Sequence, residues 1–345
     1  MLRADIHSAI PLASGDSEDC MNESQSTTNQ SKPQRRGPGF FWLLALLLGG
    51  VVLITEIPNQ RRAWKFASAL EARDAGEKAR ATEMLNELLK QQPKDEQYLR
   101  AQYLWNKEDG KYELALEYVQ DQLTGAKEGS HWYMTWISER SRLYQHLHRY
   151  QDAIADSQEL VHLSEKIGTP TRQEALNGLA YARALGGKDL DAALADADTA
   201  VAGARANLKD AENLMSAAVA AKKKTAEASE MLAECRASVM ACVDTRGLVN
   251  FKKSDFAAAQ RDFDEAVENL LLVREFHKAH EKADSTQVRE YKQFAKKQQE
   301  RDHNDAVIYY HRSLNLKELG REEDADRDWK RAAELLGREP GDDLF

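Results

Sequence analysis

Three cysteines, seven prolines and eighteen glycines are few for a chain of 345 residues. The cysteines, Cys20, Cys235 and Cys242, are odd in number and contain no CxxC pair, so neither a disulfide framework nor a zinc site is indicated. Cys235 and Cys242 stand seven apart, about 10 Å along a helix axis. A disulfide needs Cα atoms within about 7 Å, so both are expected as small buried apolar residues. Sparse glycine and proline argue against a strand-and-turn protein and for long helices. Basic residues are not in excess: 48 Lys and Arg face 57 Asp and Glu, a net charge of -9. Phosphate contacts need a basic surface, so nucleic acid is not an expected partner. P-loop, GxGxxG, GxSxG and HExxH patterns are also missing. His277, His280 and Glu281 could share a helix face, but no further ligand stands convincingly beside them. No catalytic site, cofactor or metal is expected, and the chain reads as a non-enzyme.

Long apolar runs are equally scarce, with one exception. Residues 1–38 carry almost no apolar period, and "NESQSTTNQSKPQRRGPG" reads as a disordered polar tail. "GFFWLLALLLGGVVLIT", Gly39 to Thr55, follows without a charge. Seventeen residues of helix span about 26 Å, near the short end of what crosses a bilayer. Trp42 lies near one end, as interfacial aromatics do. We read 39–57 as a single-pass transmembrane anchor; a cleaved signal peptide is the rival, but "TEIPNQ" offers no small-residue cut site. Lys32, Arg35 and Arg36 precede the run and Arg61, Arg62, Lys65 and Arg73 follow it, so the charge count leaves both orientations open. The basic knot abutting the run favours an extracytoplasmic C-terminal domain, whereas the thiols at Cys235 and Cys242 point weakly to a reducing compartment.

What is abundant is helix-forming sequence with a repeated phase. "SDFAAAQRDFDEAV" sets small, large and small residues at Ala259, Phe263 and Ala266. The same pattern recurs at Ala81, Leu85 and Leu88; at Ala115 and Val119; at Ala153, Ser157 and Leu160; at Ala193, Ala197 and Ala200; and at Ala325, Trp329 and Ala332. Each copy follows another amphipathic helix, often across a glycine such as Gly76, Gly110, Gly187 or Gly320. Gly247 falls where a small residue must let two helices touch. Six such pairs resemble the tetratricopeptide repeat family over roughly residues 62–338, although its full W-LG-Y pattern is never intact. One helix pair cannot bury its apolar face alone, and stacking pairs produces a continuous core.

The spacing of the key alanines carries more. Ala81 to Ala115 is 34 residues, Ala115 to Ala153 is 38 and Ala153 to Ala193 is 40. Ala193 to Ala259 and Ala259 to Ala325 are both 66, each 32 longer than the first interval. The extra residues are helix formers. The resemblance, with these insertions, implies an all-α fold: a right-handed solenoid of about six helix pairs with two extended helical hairpins, preceded by one transmembrane helix. The solenoid occupies 58–345, with repeats near 64–95, 97–128, 133–165, 173–203, 240–270 and 306–337. Helical insertions fill 204–239 and 271–305, with tips near Lys222–Lys224 and Asp284–Ser285.

The resemblance implies a binding protein whose groove is lined by the first helix of each pair. By that analogy Arg100, Lys107, Ser138, Arg142 and His146 face the groove, basic enough to attract an acidic protein or peptide. Some family members clamp a C-terminal carboxylate with Lys, Asn and Arg; the asparagines are missing here, so that clamp is not carried over. The reading is a membrane-anchored scaffold or adaptor. The alternative is a structural protein whose hairpins drive homo-oligomerisation.

Overall fold

The computed structural model describes residues 57–167, 171–222, 225–281, 288–341 and 344. The apolar run read as a membrane anchor lies outside these residues, as do Cys20 and the expected tip at Asp284–Ser285. No helix of the described residues is long and apolar enough to cross a membrane. The chain divides into two units, 1–68 and 69–345. The described part of the first, 57–68, is helical. The second holds the helices on which everything below rests.

Twelve α-helices are seen among the described residues, and no strand. They are α1 (57–74), α2 (Lys78–Gln91), α3 (Glu96–Glu108), α4 (Tyr112–Gly125), α5 (His131–His146) and α6 (Tyr150–Ile167). The series continues with α7 (Thr171–Gly186), α8 (Leu190–Ala220), α9 (Ala226–Lys252), α10 (Phe256–Glu281), α11 (Val288–Glu318) and α12 (Glu322–Leu336). From α2 onward each helix packs on the next in the chain. In addition α7 touches α9 and α9 touches α11, so first helices of successive pairs meet.

The turn inside each pair is built the same way six times. A backbone N–H reaches back five residues: Glu77 to Ala72, Lys111 to Asn106, Arg149 to Tyr144, Lys188 to Arg183, Asp255 to Asn250 and Arg321 to Leu316, at 2.8–3.0 Å. This is the bond of a Schellman cap, which requires a left-handed residue just before the donor. Glycine fills that place at Gly76, Gly110, Gly187 and Gly320, where a positive φ costs nothing. His148 and Ser254 fill it in the other two, with φ of 55° and 63°. The fourth turn holds one residue more before its key alanine, and Asp189 absorbs it at φ 47°.

The alanines that mark the repeat lie where helices touch. Ala81, Ala115, Ala153, Ala193 and Ala259 are fully buried and Ala325 nearly so. Gly247 has the role expected of it: a Cβ there would come within 2.8 Å of the Phe263 ring, which is itself fully buried.

The last pairs are lengthened. α2 and α4 have 14 residues, whereas α8 and α11 have 31, α9 has 27 and α10 has 26. At 1.5 Å per residue the longest reach about 46 Å. The Ser229 hydroxyl donates to the Met215 sulfur at 3.7 Å between α9 and α8. Arg274 of α10 donates to Asp302 of α11 at 2.7 Å and also to Asp305. The first hairpin turns through Ala221 and Lys222. One expectation needs correcting: both thiols are free, but only Cys242 is buried, and Cys235 is half-exposed. Cys235 lies in the hairpin, where helix-on-helix packing covers less than a stack of pairs does. Burial pushes the Cys242 thiol up to about 11.

Candidate functional site

The expected groove residues lie on α3 and α5, the first helices of the second and third pairs. Asp95 caps α3 by accepting from the Gln97 and Tyr98 N–H groups, at 3.0 and 3.2 Å. Ser130 caps α5 by accepting from the Tyr133 N–H at 3.1 Å. These caps set the phase in which each helix presents its side chains.

Two of the five residues, Lys107 and Arg142, converge on one group that sequence reasoning passed over, the carboxylate of Glu139. Lys107 reaches across from α3 to donate to it. Arg142 pairs with it at 3.2 Å and donates to the Ser138 hydroxyl at 3.1 Å. Tyr103, buried on α3, donates its hydroxyl to the same carboxylate. Burial alone would push the Glu139 carboxyl up; the charges of Lys107 and Arg142, with the hydrogen bonds from Lys107 and Tyr103, outweigh it and hold the group below the usual range. Burial and the neighbouring Glu139 charge raise the Tyr103 phenol.

Arg100 and His146 do not join this cluster. Arg100 is exposed. It stands near Tyr118, whose hydroxyl donates to Glu96 at 2.6 Å. His146 lies flat on Tyr112, ring centroids 4.4 Å apart and planes 8° from parallel. Beneath the cluster is an aromatic layer. Tyr103 stacks on Tyr118 at 4.9 Å, Trp136 meets both edge-on, and Trp132 meets Trp136 edge-on at 5.2 Å while remaining half-exposed.

α3 borders a second concavity with its opposite face. Gln102, Trp105 and Asn106, with Asn86 of α2 and Leu114 of α4, help to line a cleft of about 340 Å³. None of the five expected residues lines it. Among the described residues no group of three His, Cys, Asp or Glu side chains is placed to hold a metal ion.

A further polar constellation runs through the later repeats. Arg140 and Asp156 pair at 2.7 Å, Arg246 and Asp262 at 2.6 Å, and Arg312 and Asp328 at 2.6 Å, each within one helix pair. Arg246 also pairs with Asp198 at 3.0 Å, and Arg312 with Asp264 at 3.1 Å, each in the preceding pair. Two chains result, Asp198–Arg246–Asp262 and Asp264–Arg312–Asp328. A signal existed: an aspartate stands three residues after the key alanine in the last four copies, Asp156, Asp196, Asp262 and Asp328. An arginine stands thirteen before it in three of them, Arg140, Arg246 and Arg312. Glu139 was legible in the same way, as the acidic partner of Arg142 three residues on.

The geometry therefore defines consecutively packed helix pairs with a cluster of Lys107, Arg142 and Tyr103 around the Glu139 carboxylate on the second and third of them. No family model matches this chain, and no curated protein matches it. It is similar to solved structures of repeat proteins. One holds the nearly identical TPR-like repeats of a putative kinesin light chain from Podosopora anserina, with 17% identity and a TM-score of 0.41, covering 61% of this chain and 94% of that one. Another is BtubC (BKLC) from P. vanneervenii, with 13% identity and a TM-score of 0.42, covering 81% and 94%. A third is a tetratricopeptide repeat protein from Parabacteroides merdae, with 16% identity and a TM-score of 0.37, covering 81% and 98%. At those scores the likenesses carry no argument, and the fold rests on the chain's own helix pairs.

Proposed function

We propose that this chain is a scaffold or adaptor that holds an acidic segment of a protein partner between α3 and α5 and performs no chemistry of its own. The observation that carries the reading is the charge balance at Glu139. Lys107 and Arg142 share that one carboxylate, and Arg100 is exposed on the same helix as Lys107. A cationic excess on a groove favours and steers acidic partners. Charge reversal at Arg100 and Arg142 tests it: a partner identified by affinity capture should be lost from the double variant, and its retention would refute the groove.

We further propose that 39–57 anchors the protein in a membrane as a single pass with the helical domain outside the cytoplasm. The support is the uncharged apolar run itself, with Trp42 at its edge and the basic knot before it. Alkaline carbonate extraction of membranes tests the anchor, and protease protection of the helical domain tests the orientation.

A second reading, self-assembly through the hairpins, is favoured by Leu214, Val219 and Met231 on the first arm, which are 53%, 57% and 45% exposed. Light scattering of the full chain in detergent, with and without deletion of 210–236 and 276–300, separates the two. A dimer that both deletions abolish supports assembly.

A further inference from the structure

We propose that Glu139 is a built-in competitor for the acidic partner: it engages Lys107 and Arg142 and so sets how tightly they hold a partner's carboxylate. The inference rests on the acidic-segment reading above and names the residue that regulates that site.

The geometry separates the competitor from the cations it engages. Glu139 is 9% exposed, so its carboxylate stays behind the groove surface. The side chains that bind it reach solvent: Lys107 is 33% exposed and Arg142 61%. An incoming carboxylate meets both cations from outside while Glu139 remains on their inner side. It cannot displace Glu139, which the Tyr103 hydroxyl also holds from the preceding helix pair. It must share the cations and accept repulsion from a like charge behind them.

Sharing is possible because donors outnumber acceptors. An ammonium offers three N–H groups and a guanidinium five, against two carboxylate oxygens. Arg142 spends one Nη on Glu139 at 3.2 Å and the other on Ser138 at 3.1 Å. Ser138 thereby fixes the guanidinium plane, which makes Arg142 a positioned donor for a second carboxylate. Without Glu139 the groove would carry two uncompensated cations and bind any polyanion tightly. With it the groove is moderated towards acidic segments that bring further contacts of their own.

The test uses the full chain in detergent micelles and a fluorescently labelled octaglutamate peptide, read by anisotropy, with octaglutamine as the neutral comparison. Glu139→Gln keeps the shape and removes the charge. It should bind octaglutamate roughly tenfold more tightly, close to the effect of one charge pair at about 4 Å screened nearly as in water, with a steeper loss on added salt. Octaglutamine binding should not change. Glu268→Gln alters the net charge equally on distant α10 and should stay within about twofold of the parent chain. Should Glu139→Gln fail to fold, Glu139→Asp draws the carboxylate back by one methylene and should give an intermediate gain. Unchanged octaglutamate affinity in the folded Glu139 variants, with binding still lost on Arg142→Glu, overturns the competitor and leaves the groove standing. Binding that Arg142→Glu does not weaken overturns the groove and the competitor together, as does no binding by any variant. Binding seen only after Glu139→Gln supports the competitor most directly.

Discussion

The second and third helix pairs and the last three solve one packing problem with different materials. In the former, Tyr103, Tyr118 and Trp136 form a ring-on-ring layer between pairs. In the latter, small residues such as Ala197, Ala200 and Ala204 bring helices close, and the chains Asp198–Arg246–Asp262 and Asp264–Arg312–Asp328 run from pair to pair. Aromatic faces tolerate sliding, whereas a two-sided guanidinium between carboxylates has one geometry. Burying such charges costs desolvation free energy, and what they contribute is register. Register matters most where helices of 26 to 31 residues must stay aligned.

The comparison breaks most visibly at Arg246. Arg246→Met leaves Asp262, 5% exposed, without its cation; the expected loss is about 3–5 kcal/mol, read from urea midpoints. Arg246→Met with Asp262→Leu should recover most of that, because an apolar pair of similar volume has no charge left to strand. Failure of the double variant to recover would place the remaining stabilisation in the link to Asp198 or in the buried Asn250 side chain, which donates to Asp262 at 2.9 Å. Gly247→Ala drives a methyl into Phe263 and should cost about 1–3 kcal/mol. Adding Phe263→Leu to it should cost less than the sum of the single changes, since both act on one contact.

Acid probes the contact between the first pair and the second. Hydrogen bonds from Arg73 hold Asp109 down to about 2, assisted by Lys78 and opposed by burial. A carboxylate depressed on folding contributes stability above its unfolded pKa, about 3.9, and that contribution disappears as pH falls through the folded value. The melting temperature should therefore drop between about pH 4 and 2. Asp109→Asn should flatten that part of the profile, and an unaltered slope would show that the pair contributes nothing. The smallest effect concerns the turns. Glycine at His148 or Ser254 removes a left-handed strain of about 1 kcal/mol, so His148→Gly and Ser254→Gly should each raise the melting temperature slightly. A fall at either site would show that the side chain does more than occupy the turn, as the 2.7 Å bond between His148 and the Tyr150 hydroxyl allows.

Much of this was legible in the chain itself because its causes are local. A Schellman turn involves six consecutive residues, so its position could be read from Gly76, Gly110 and Gly320 together with the alanine five residues later. Helix existence followed from period and composition, and the contact glycine from its phase against Phe263. The residue types of the proposed groove could be read from the chain, but the charges that meet there could not. Glu139 neutralises Lys107 from 32 residues away and is held by Tyr103 from 36 away. Likewise Arg246 meets Asp198 across 48 residues. Period and propensity determined where helices begin, end and face the core. Which charges meet, and hence which cations are left for a partner, depended on how one pair seats on the next, because Coulomb interactions follow distance in space and not along the chain.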